Sequence, residues 1–133
     1  MEHPTVWEIQ NEVEKLQRSL PAVRGVLFLT NEGGALGCSF SEVDGALEEI
    51  TNVAAEAANF GRLMSEGFFC GAMVEVTLRG SLGDLLLYSV GESGVLAFFT
   101  ANQTELSAIH FEGRWASQKL ADVIAKNKRL YGH

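Results

Sequence analysis

The sequence predicts an α+β fold in which helices cover the faces of a five-stranded antiparallel sheet, in the order α-β-β-α-β-β-β-α. Two observations support this prediction. Segments with helical spacing of apolar residues alternate with shorter apolar segments of strand length, and glycine-rich turns separate the strands. The length of 133 residues suits one domain. We therefore expect a single domain over residues 1–133, with its core at about 5–126.

The first helix is predicted to begin at Thr5, which has capping-box spacing with Glu8. Apolar residues recur on one face up to Leu20, and Pro21 ends the helix because proline lacks the N–H of the next helical hydrogen bond. Trp7 lies off this face. Packing against a helix flank is the favoured interpretation of Trp7, and an exposed contact for a partner is the alternative.

A hairpin is predicted after this helix. Residues 24–30 form an almost continuous apolar segment, which is typical of a central strand covered on both faces. The turn Asn31-Glu32-Gly33-Gly34 follows, and residues 35–40 contain more Gly and Ser, as expected of an edge strand. The hairpin therefore contributes one central strand and one edge strand.

The long helix predicted from Val43 to Met64, after the capping segment Ser41-Glu42-Val43-Asp44, has an unusually wide apolar face. At about 100° per residue, its apolar and small residues span roughly 160°, whereas a helix covering one sheet needs roughly 100°. In angular order they are Phe60, Val53, Ala46, Met64, Ala57, Ile50, Val43, Gly61, Ala54, Leu47 and Ala58. Many are small enough to let another backbone approach. We therefore expect a second partner besides the sheet, namely the same helix of a second subunit.

Three further strands form a predicted meander. Residues 70–79 alternate in polarity, and turns at 80–84 and 91–94 separate this strand from strands at 85–90 and 95–100. The residues on one side of the first of these strands are Cys70, Ala72, Val74, Val76 and Leu78.

The two cysteines of the chain, Cys38 and Cys70, are expected at opposite edges of the sheet. This follows if the strand at 24–30 pairs with the strand at 95–100. A disulfide between them is then excluded, because bridged Cα atoms lie within about 7 Å. An unpaired, alternating edge strand starting at Cys70 would favour aggregation, and pairing with its own copy across a two-fold axis would remove that risk.

The last helix is predicted from Thr104, with an apolar face that runs through Gly113 to Ile124. If the helix is continuous through Gly113, Phe111 and Trp115 lie one turn apart on the side away from the core, as an exposed pair suited to binding a partner. If Gly113 breaks or kinks the helix, both rings turn inward. The sequence leaves the two interpretations open.

The composition argues against several classes of partner. A net charge of −7 and a pI near 4.9 oppose binding to nucleic acid, which requires a surface rich in Lys and Arg. The sequence contains no apolar segment of the roughly 18 residues that cross a bilayer, and its first residues do not have the organisation of a signal peptide. We therefore expect a cytoplasmic protein with no nucleic-acid partner and no membrane insertion.

The sequence contains no recognisable catalytic or metal-binding motif. Its 14 glycines form neither a phosphate-binding loop nor a dinucleotide-binding fingerprint, and its three histidines are too widely spaced for a metal site. Gly91-Glu92-Ser93-Gly94 is a hairpin turn rather than a nucleophile elbow. Glu48, Glu49 and Glu56 lie on the polar side of the long helix, outside any cleft. We expect no catalytic residue, no cofactor, no metal and no enzyme activity.

Three segments and the order of the elements resemble the roadblock family, the relatives of dynein light chains. The segments are Val23-Arg24-Gly25-Val26, Asn31-Glu32-Gly33-Gly34 and Phe111-Glu112-Gly113-Arg114-Trp115-Ala116-Ser117. The resemblance covers about residues 16–126 and is greatest to the bacterial and archaeal MglB-like type. It implies a profilin-like sandwich that forms a homodimer through its second helix and third strand. It also implies a non-catalytic platform that binds a Ras-like small GTPase and modulates its GTP cycle or localisation.

The resemblance also implies which residues form the dimer interface. Carried over by position, they are Leu47, Ile50, Ala54, Ala57, Ala58 and Gly61 of the helix and Ala72, Val74, Val76 and Leu78 of the strand. Family members that stimulate GTP hydrolysis are thought to reorganise the active site of the GTPase itself. In agreement with this, the sequence places no arginine in an obvious finger loop.

A small-molecule sensor of the PAS or GAF type is the alternative function. Such domains also wrap helices around an antiparallel sheet, but they need an internal pocket with a few convergent polar groups. The predicted strands are filled with Leu, Val and Phe instead.

Overall fold

The computed structural model describes residues 4–41, 47–101 and 105–131 and confirms the predicted element order. The elements are α1 (Pro4–Ser19), β1 (Val23–Thr30), β2 (Ala35–Phe40), α2 (Leu47–Gly67), β3 (Glu75–Arg79), β4 (Gly83–Val90), β5 (Gly94–Ala101) and α3 (Ser107–Tyr131). The five strands form one antiparallel sheet in the order β2-β1-β5-β4-β3. The central β1–β5 pair and the edge positions of β2 and β3 agree with the prediction, and Cys38 and Cys70 are free thiols.

Each face of the sheet carries its own hydrophobic core. On one face α1 and α3 cover alternate strand residues such as Val26 and Phe28. In the described part of the chain, α2 is the helix that packs on the other face, where Ala54 and Ala58 join a layer that includes Leu27. Because alanine side chains are short, this part of α2 lies close to the sheet.

The helix boundaries differ from the prediction by a few residues. The first helix begins at Pro4, so Thr5 lies inside its first turn rather than at its cap; proline is favoured at this position because its missing N–H has no helical acceptor there. The last helix begins at Ser107, whose backbone amide donates a hydrogen bond to the Glu105 carboxylate (2.8 Å). Thr104 lies outside the described residues.

The second helix extends three residues beyond its predicted end at Met64, to Gly67. Its predicted beginning, including Val43 and Ala46, lies outside the described residues.

The third strand is shorter than predicted, since β3 begins at Glu75 rather than at Cys70. The chain first turns after α2, where Phe69 and Gly71 have φ values of 60° and 85°. Residues in this left-handed region cannot continue a strand. The hydroxyl of Ser65 stabilises the turn by donating a hydrogen bond to the carbonyl oxygen of Gly71 (2.8 Å).

Ala72 and Val74, which the prediction placed in the third strand, therefore precede it. The pairing with β4 nevertheless starts before β3, since the amide of Ser89 donates to the carbonyl oxygen of Val74 (2.9 Å). The hydroxyl of Ser89 also donates to the carbonyl oxygen of Met73 (2.7 Å). Segment 70–74 is thus attached to β4 without being a regular strand.

Helix α3 is continuous through Gly113, and this decides between the two interpretations of Phe111 and Trp115. Gly113 faces Tyr88 so closely that an added Cβ atom would lie 2.6 Å from the ring. The glycine allows α3 to approach the sheet without interrupting the helix. Phe111 and Trp115 are accordingly exposed.

Candidate functional site

An apolar groove of about 700 Å³ runs between α2 and β3, and we call it the α2–β3 groove. Its apolar lining consists mainly of Val53, Phe60 and Met64 from α2 and Val76, Leu78 and Leu85 from the sheet. Val53, Phe60, Met64 and Leu78 are exposed although all are large hydrophobic residues. A continuous exposed apolar surface of this kind is typical of an interaction site.

The position of the groove follows from the residue pattern of α2. At about 100° per residue, Val53 and Phe60 lie roughly 100–140° around the helix from the line of Ala54 and Ala58. The two alanines face the sheet, so the flank with the larger side chains projects beyond it. The wide apolar face of this helix is therefore divided between the core and an uncovered flank.

The other flank of α2 is polar. The Arg62 guanidinium donates hydrogen bonds to the side-chain oxygens of Asn59 and Asn31, both at 3.0 Å. The hydrogen bond to Asn31 connects α2 to the turn after β1. The two flanks therefore differ in chemistry, and the apolar one borders the open edge of the sheet.

The predicted interface residues fall into three groups in the structure. Ala54 and Ala58 are buried in the core of their own subunit and do not reach the surface. The half-buried residues are Leu47, Ile50, Ala57, Gly61 and Val76. The exposed residues are Ala72, Val74 and Leu78.

Several exposed apolar residues were not among the predicted interface residues. Three of them, Val53, Phe60 and Met64, lie together at one end of the predicted apolar arc. That position is the sequence feature that could have identified them as exposed. Phe69 and Leu82, in the turns on either side of β3, are almost fully exposed. The sequence carried no periodic signal for these two residues, because they lie outside regular elements.

Ionic contacts with α3 hold the opposite face of β3. Arg114 donates two hydrogen bonds to the Glu75 carboxylate, from Nη2 to Oε1 at 2.6 Å and from Nε to Oε2 at 2.9 Å. The Arg114 hydrogen bond lowers the pKa of Glu75 despite the opposing effect of partial burial. The carboxylate therefore stays ionised, and β3 is attached to α3.

Tyr88 and His110 form a second contact between the sheet and α3. The buried Tyr88 hydroxyl lies 2.7 Å from Nδ1 of His110, and burial raises the pKa of Tyr88 far above its ordinary value. The neutral phenol thus forms part of the core.

A third polar contact closes the turn between β3 and β4. Asp84 accepts hydrogen bonds from Nε of Arg79 (2.8 Å) and from the Thr100 hydroxyl (3.0 Å). Burial of Asp84 opposes ionisation, but these two hydrogen bonds, the positive charge of Arg79 and a backbone hydrogen bond from Gly80 together outweigh it and lower the pKa of Asp84. Together with the α3 contacts, they fix the edge strand from one side and leave its outer edge open.

Three large aromatic residues, Trp7, Phe111 and Trp115, are exposed on the face covered by α1 and α3. Trp7 borders a cleft of about 210 Å³ between the two helices, together with Lys119 and Leu120. The exposure of Trp7 does not agree with the favoured prediction that it packs against a helix flank. These residues lie on the opposite face of the sheet from the α2–β3 groove.

Among residues 4–41, 47–101 and 105–131, no group of three or more His, Cys, Asp or Glu side chains is placed to hold a metal ion. Glu48, Glu49 and Glu56 are exposed, and Glu56, which was expected outside any cleft, borders the α2–β3 groove. In the part of the chain that the structure describes, no helix is both long and apolar enough to cross a membrane.

The sequence matches no protein-family model and no curated protein, whereas the structure is similar to solved proteins over almost its entire length. MglB from Myxococcus xanthus superimposes on 96% of this chain and 95% of its own, with a TM-score of 0.85 and 15% sequence identity. The chain has the roadblock fold.

The roadblock fold is shared with two further structures. An MglB described as having a tetrameric arrangement has a TM-score of 0.82 and 16% identity, with 96% of this chain and 95% of its own aligned. A Roadblock/LC7 domain from Streptomyces avermitilis has a TM-score of 0.76 and 15% identity, with 87% of this chain and 97% of its own aligned. Identities this low show a common fold, and the predicted profilin-like sandwich is thereby confirmed.

Proposed function

We propose that this chain is a non-catalytic regulatory platform. In this proposal it forms a homodimer through the α2–β3 groove, binds a Ras-like small GTPase, and modulates the GTP cycle or the localisation of that GTPase. The observation that carries the proposal is the α2–β3 groove itself, in which large hydrophobic side chains of a helix and an edge strand are left uncovered. Covering such a surface removes apolar area from water and so favours association.

A second copy of the chain is the occupant that best fits the groove. A two-fold axis beside the groove would bring the apolar flanks of two α2 helices together and place two open β3 edges side by side. Glu56 is the one acidic residue of α2 in the groove lining, so the two flanks would not repel each other strongly. The similarity to an MglB with a tetrameric arrangement also supports self-association.

The proposed GTPase partner is supported by the resemblance to the roadblock family and by the fold shared with MglB. The side chains of Arg79 and Arg114 bind carboxylates, and Arg62 binds two asparagines. None of these three is poised to enter the active site of a GTPase. In this proposal, any stimulation of GTP hydrolysis acts by positioning groups of the GTPase itself, as the resemblance to the roadblock family implies.

The exposed aromatic residues of α1 and α3 are the proposed GTPase contacts. Trp7, Phe111 and Trp115 lie on the opposite face from the groove, so a dimer would leave them accessible. Tryptophan is enriched among the residues that dominate binding energy at interfaces. Self-association and GTPase binding are thus assigned to different faces.

The dimer is tested by the variant Phe60→Glu, with Phe111→Glu as a matched control. Both residues are helical phenylalanines of similar exposure, 61% and 69%, on opposite faces of the sheet. A glutamate at position 60 would place an unpaired charge in the interface and raise the dimer dissociation constant at least about 100-fold, or about 2.8 kcal/mol. Sedimentation should show monomers for Phe60→Glu and dimers for Phe111→Glu. Equal dissociation constants for the two variants would contradict the assigned surface.

The GTPase interaction is tested by binding of the immobilised chain to the Ras-like GTPases of its source organism, loaded with GTP or with GDP. We expect retention of one GTPase with a clear difference between its two nucleotide states. The Phe111→Glu and Trp115→Glu variants should weaken this binding at least about tenfold. Retention of none of these GTPases would contradict the platform, and unchanged binding by both variants would contradict the proposed contact face.

A small-molecule sensor is the second candidate, because the volume of the groove lies within the range of ligand pockets, about 300–1,000 Å³. In that case the groove would be filled by a small apolar molecule instead of a second subunit. Thermal-shift measurements with a small-molecule collection separate the two candidates. A monomer whose melting temperature rises with one compound would favour the sensor.

A further inference from the structure

The outer edge of β2 is bonded to a side chain of α1. The Gln10 amide oxygen accepts a hydrogen bond from the backbone N–H of Cys38 (3.0 Å), and the amide nitrogen donates one to the carbonyl oxygen of the same residue (2.8 Å). Two opposed residues of an antiparallel strand pair exchange the same two bonds. Gln10 therefore takes the place that a residue of a further strand would occupy.

The register of β2 shows that these Cys38 groups belong to its outer edge. The amide of Ser41 donates to the carbonyl oxygen of Arg24 in β1 (2.9 Å), and successive residues of an antiparallel strand direct their backbone groups to opposite sides. Cys38 and Phe40 are therefore directed outward. On the other side of Cys38, a register shift between residues 35 and 37 interrupts the regular edge.

A third contact fixes the orientation of the Gln10 amide. Its nitrogen also donates to the Glu14 carboxylate (3.0 Å), one helical turn further along α1. The opposite orientation would set the amide oxygen against this carboxylate and against the carbonyl oxygen of Cys38. All three hydrogen bonds thus require the same orientation, and the carboxylate adds a charge beside the edge.

Gly37 allows α1 to lie close enough to β2 for this contact. An added Cβ atom at position 37 would lie 3.0 Å from Cγ2 of Ile9 and 3.3 Å from Oε1 of Gln10. The glycine of the edge strand and the glutamine of the helix therefore act together.

We propose that Gln10 closes the β2 edge of the sheet to pairing with other chains. An edge strand with free backbone groups is a template for a strand of another molecule, and a sheet open at both edges can add strands on both sides. Without the Gln10 amide, β2 of one molecule can pair with β2 of another. The inference does not depend on the proposed homodimer, because it concerns the opposite edge of the sheet.

The variant Gln10→Ala tests the closure. Alanine is the best helix former, so α1 should still form, and circular dichroism checks this. Amide exchange measured by NMR should be at least about fivefold faster at Cys38, because the bond to Gln10 is lost. It should be unchanged at Ser39, whose amide bonds toward β1. Sedimentation velocity under reducing conditions should show species larger than those of the unmodified chain, in a fraction that rises with concentration.

Gln17→Ala is the matched control. Gln17 is also a half-buried glutamine of α1, and it binds the hydroxyls of Ser39 and Ser41 and the carbonyl oxygen of Arg24. Its loss removes hydrogen bonds beside the same strand without freeing the outward backbone groups of Cys38. The size distribution and the exchange rate at Cys38 should therefore equal those of the unmodified chain.

A second variant, Gln10→Lys, separates the lost hydrogen bond from the opened edge. Lysine has no acceptor for the Cys38 amide, so exchange at Cys38 should again be faster. A charged side chain at an edge opposes strand pairing, so the size distribution should not change.

Three results would overturn the closure. The first is slow exchange at Cys38 in Gln10→Ala, since Gln10 would then not hold this edge. The second is fast exchange at Cys38 with an unchanged size distribution, since the opened edge would then not pair. The third is an equal amount of larger species in Gln17→Ala or Gln10→Lys, which would assign the association to another cause. Each comparison is with the unmodified chain, so none depends on whether that chain is a monomer or a dimer.

Discussion

Gly113 and Tyr88 illustrate how single residues set the distance between a helix and the sheet. The Tyr88 ring is buried, its hydroxyl is held by His110, and a Cβ atom on residue 113 would meet the ring at 2.6 Å. Alanine and glycine at the contact points let α2 and α3 lie close to the strands. If the helices lay further from the sheet, these positions would tolerate larger side chains.

The variant Gly113→Ala tests this contact, with Gly67→Ala as its control. Alanine favours a helix over glycine by about 1 kcal/mol, but overpacking a core costs about 1–3 kcal/mol. We expect Gly113→Ala to lower the free energy of unfolding by up to about 2 kcal/mol. At Gly67 nothing lies within 4 Å of an added Cβ atom, so alanine should be neutral or slightly stabilising. Urea denaturation measures both, and a more stable Gly113→Ala variant would contradict the close contact.

Asp84 makes stability depend on pH. Burial raises its pKa in the folded state, but the hydrogen bonds from Arg79, Thr100 and the Gly80 backbone and the charge of Arg79 together lower it below its ordinary value. The stabilisation is therefore present above the unfolded pKa of about 3.9 and is lost as pH falls through the lower folded pKa. Denaturation at pH 7, 4 and 3 should show a smaller loss of stability for Asp84→Asn than for the unmodified chain. Equal losses of stability in the two proteins would show that Asp84 does not contribute to the pH dependence of stability.

Helix α2 shows what sequence patterns can and cannot resolve. The width of its apolar face was correctly predicted to exceed the needs of one sheet. Periodicity could not tell which residues of that face pack on the sheet and which remain exposed. A small residue such as Ala54 suits close contact with a sheet as well as with another helix. The structure assigns Ala54 to the core and leaves Phe60 exposed.

The edge strand shows a second limit of sequence patterns. Polarity alternates from Cys70 onwards, yet β3 begins at Glu75. The left-handed φ of Phe69 could not be expected from its residue type, because phenylalanine rarely adopts it. The strands β1, β4 and β5 were predictable because each has a nearly continuous apolar segment next to a turn, whereas β2 was predictable as the Gly- and Ser-containing second strand of a hairpin.

The variant Ala54→Glu tests the division of α2 into a core face and an exposed flank. Burying an unpaired carboxylate should lower the free energy of unfolding by about 3 kcal/mol or more. The exposed neighbour Asn52 provides the control Asn52→Glu, for which we expect a change within about 0.5 kcal/mol. Circular dichroism during urea denaturation at one fixed protein concentration measures both. An Ala54→Glu variant of normal stability that no longer dimerises would place Ala54 at the subunit interface.

At the scale of the whole molecule, the described residues present two distinct surfaces on the two faces of the sheet. The α2–β3 groove is apolar and lies next to an open strand edge, whereas the exposed aromatic residues of α1 and α3 lie on the opposite face. The net charge of −7 keeps separate molecules apart unless specific contacts form. A dimer that covers the groove and leaves the aromatic face accessible is consistent with both surfaces.

Sedimentation equilibrium of the unmodified chain, from nanomolar to micromolar concentration, tests directly whether a second copy covers the groove. Stable interfaces bury roughly 1,200–2,000 Å², so we expect twice the 14.4 kDa chain mass throughout the micromolar range. A single species of 14.4 kDa at the highest concentration would contradict the dimer and the platform built on it.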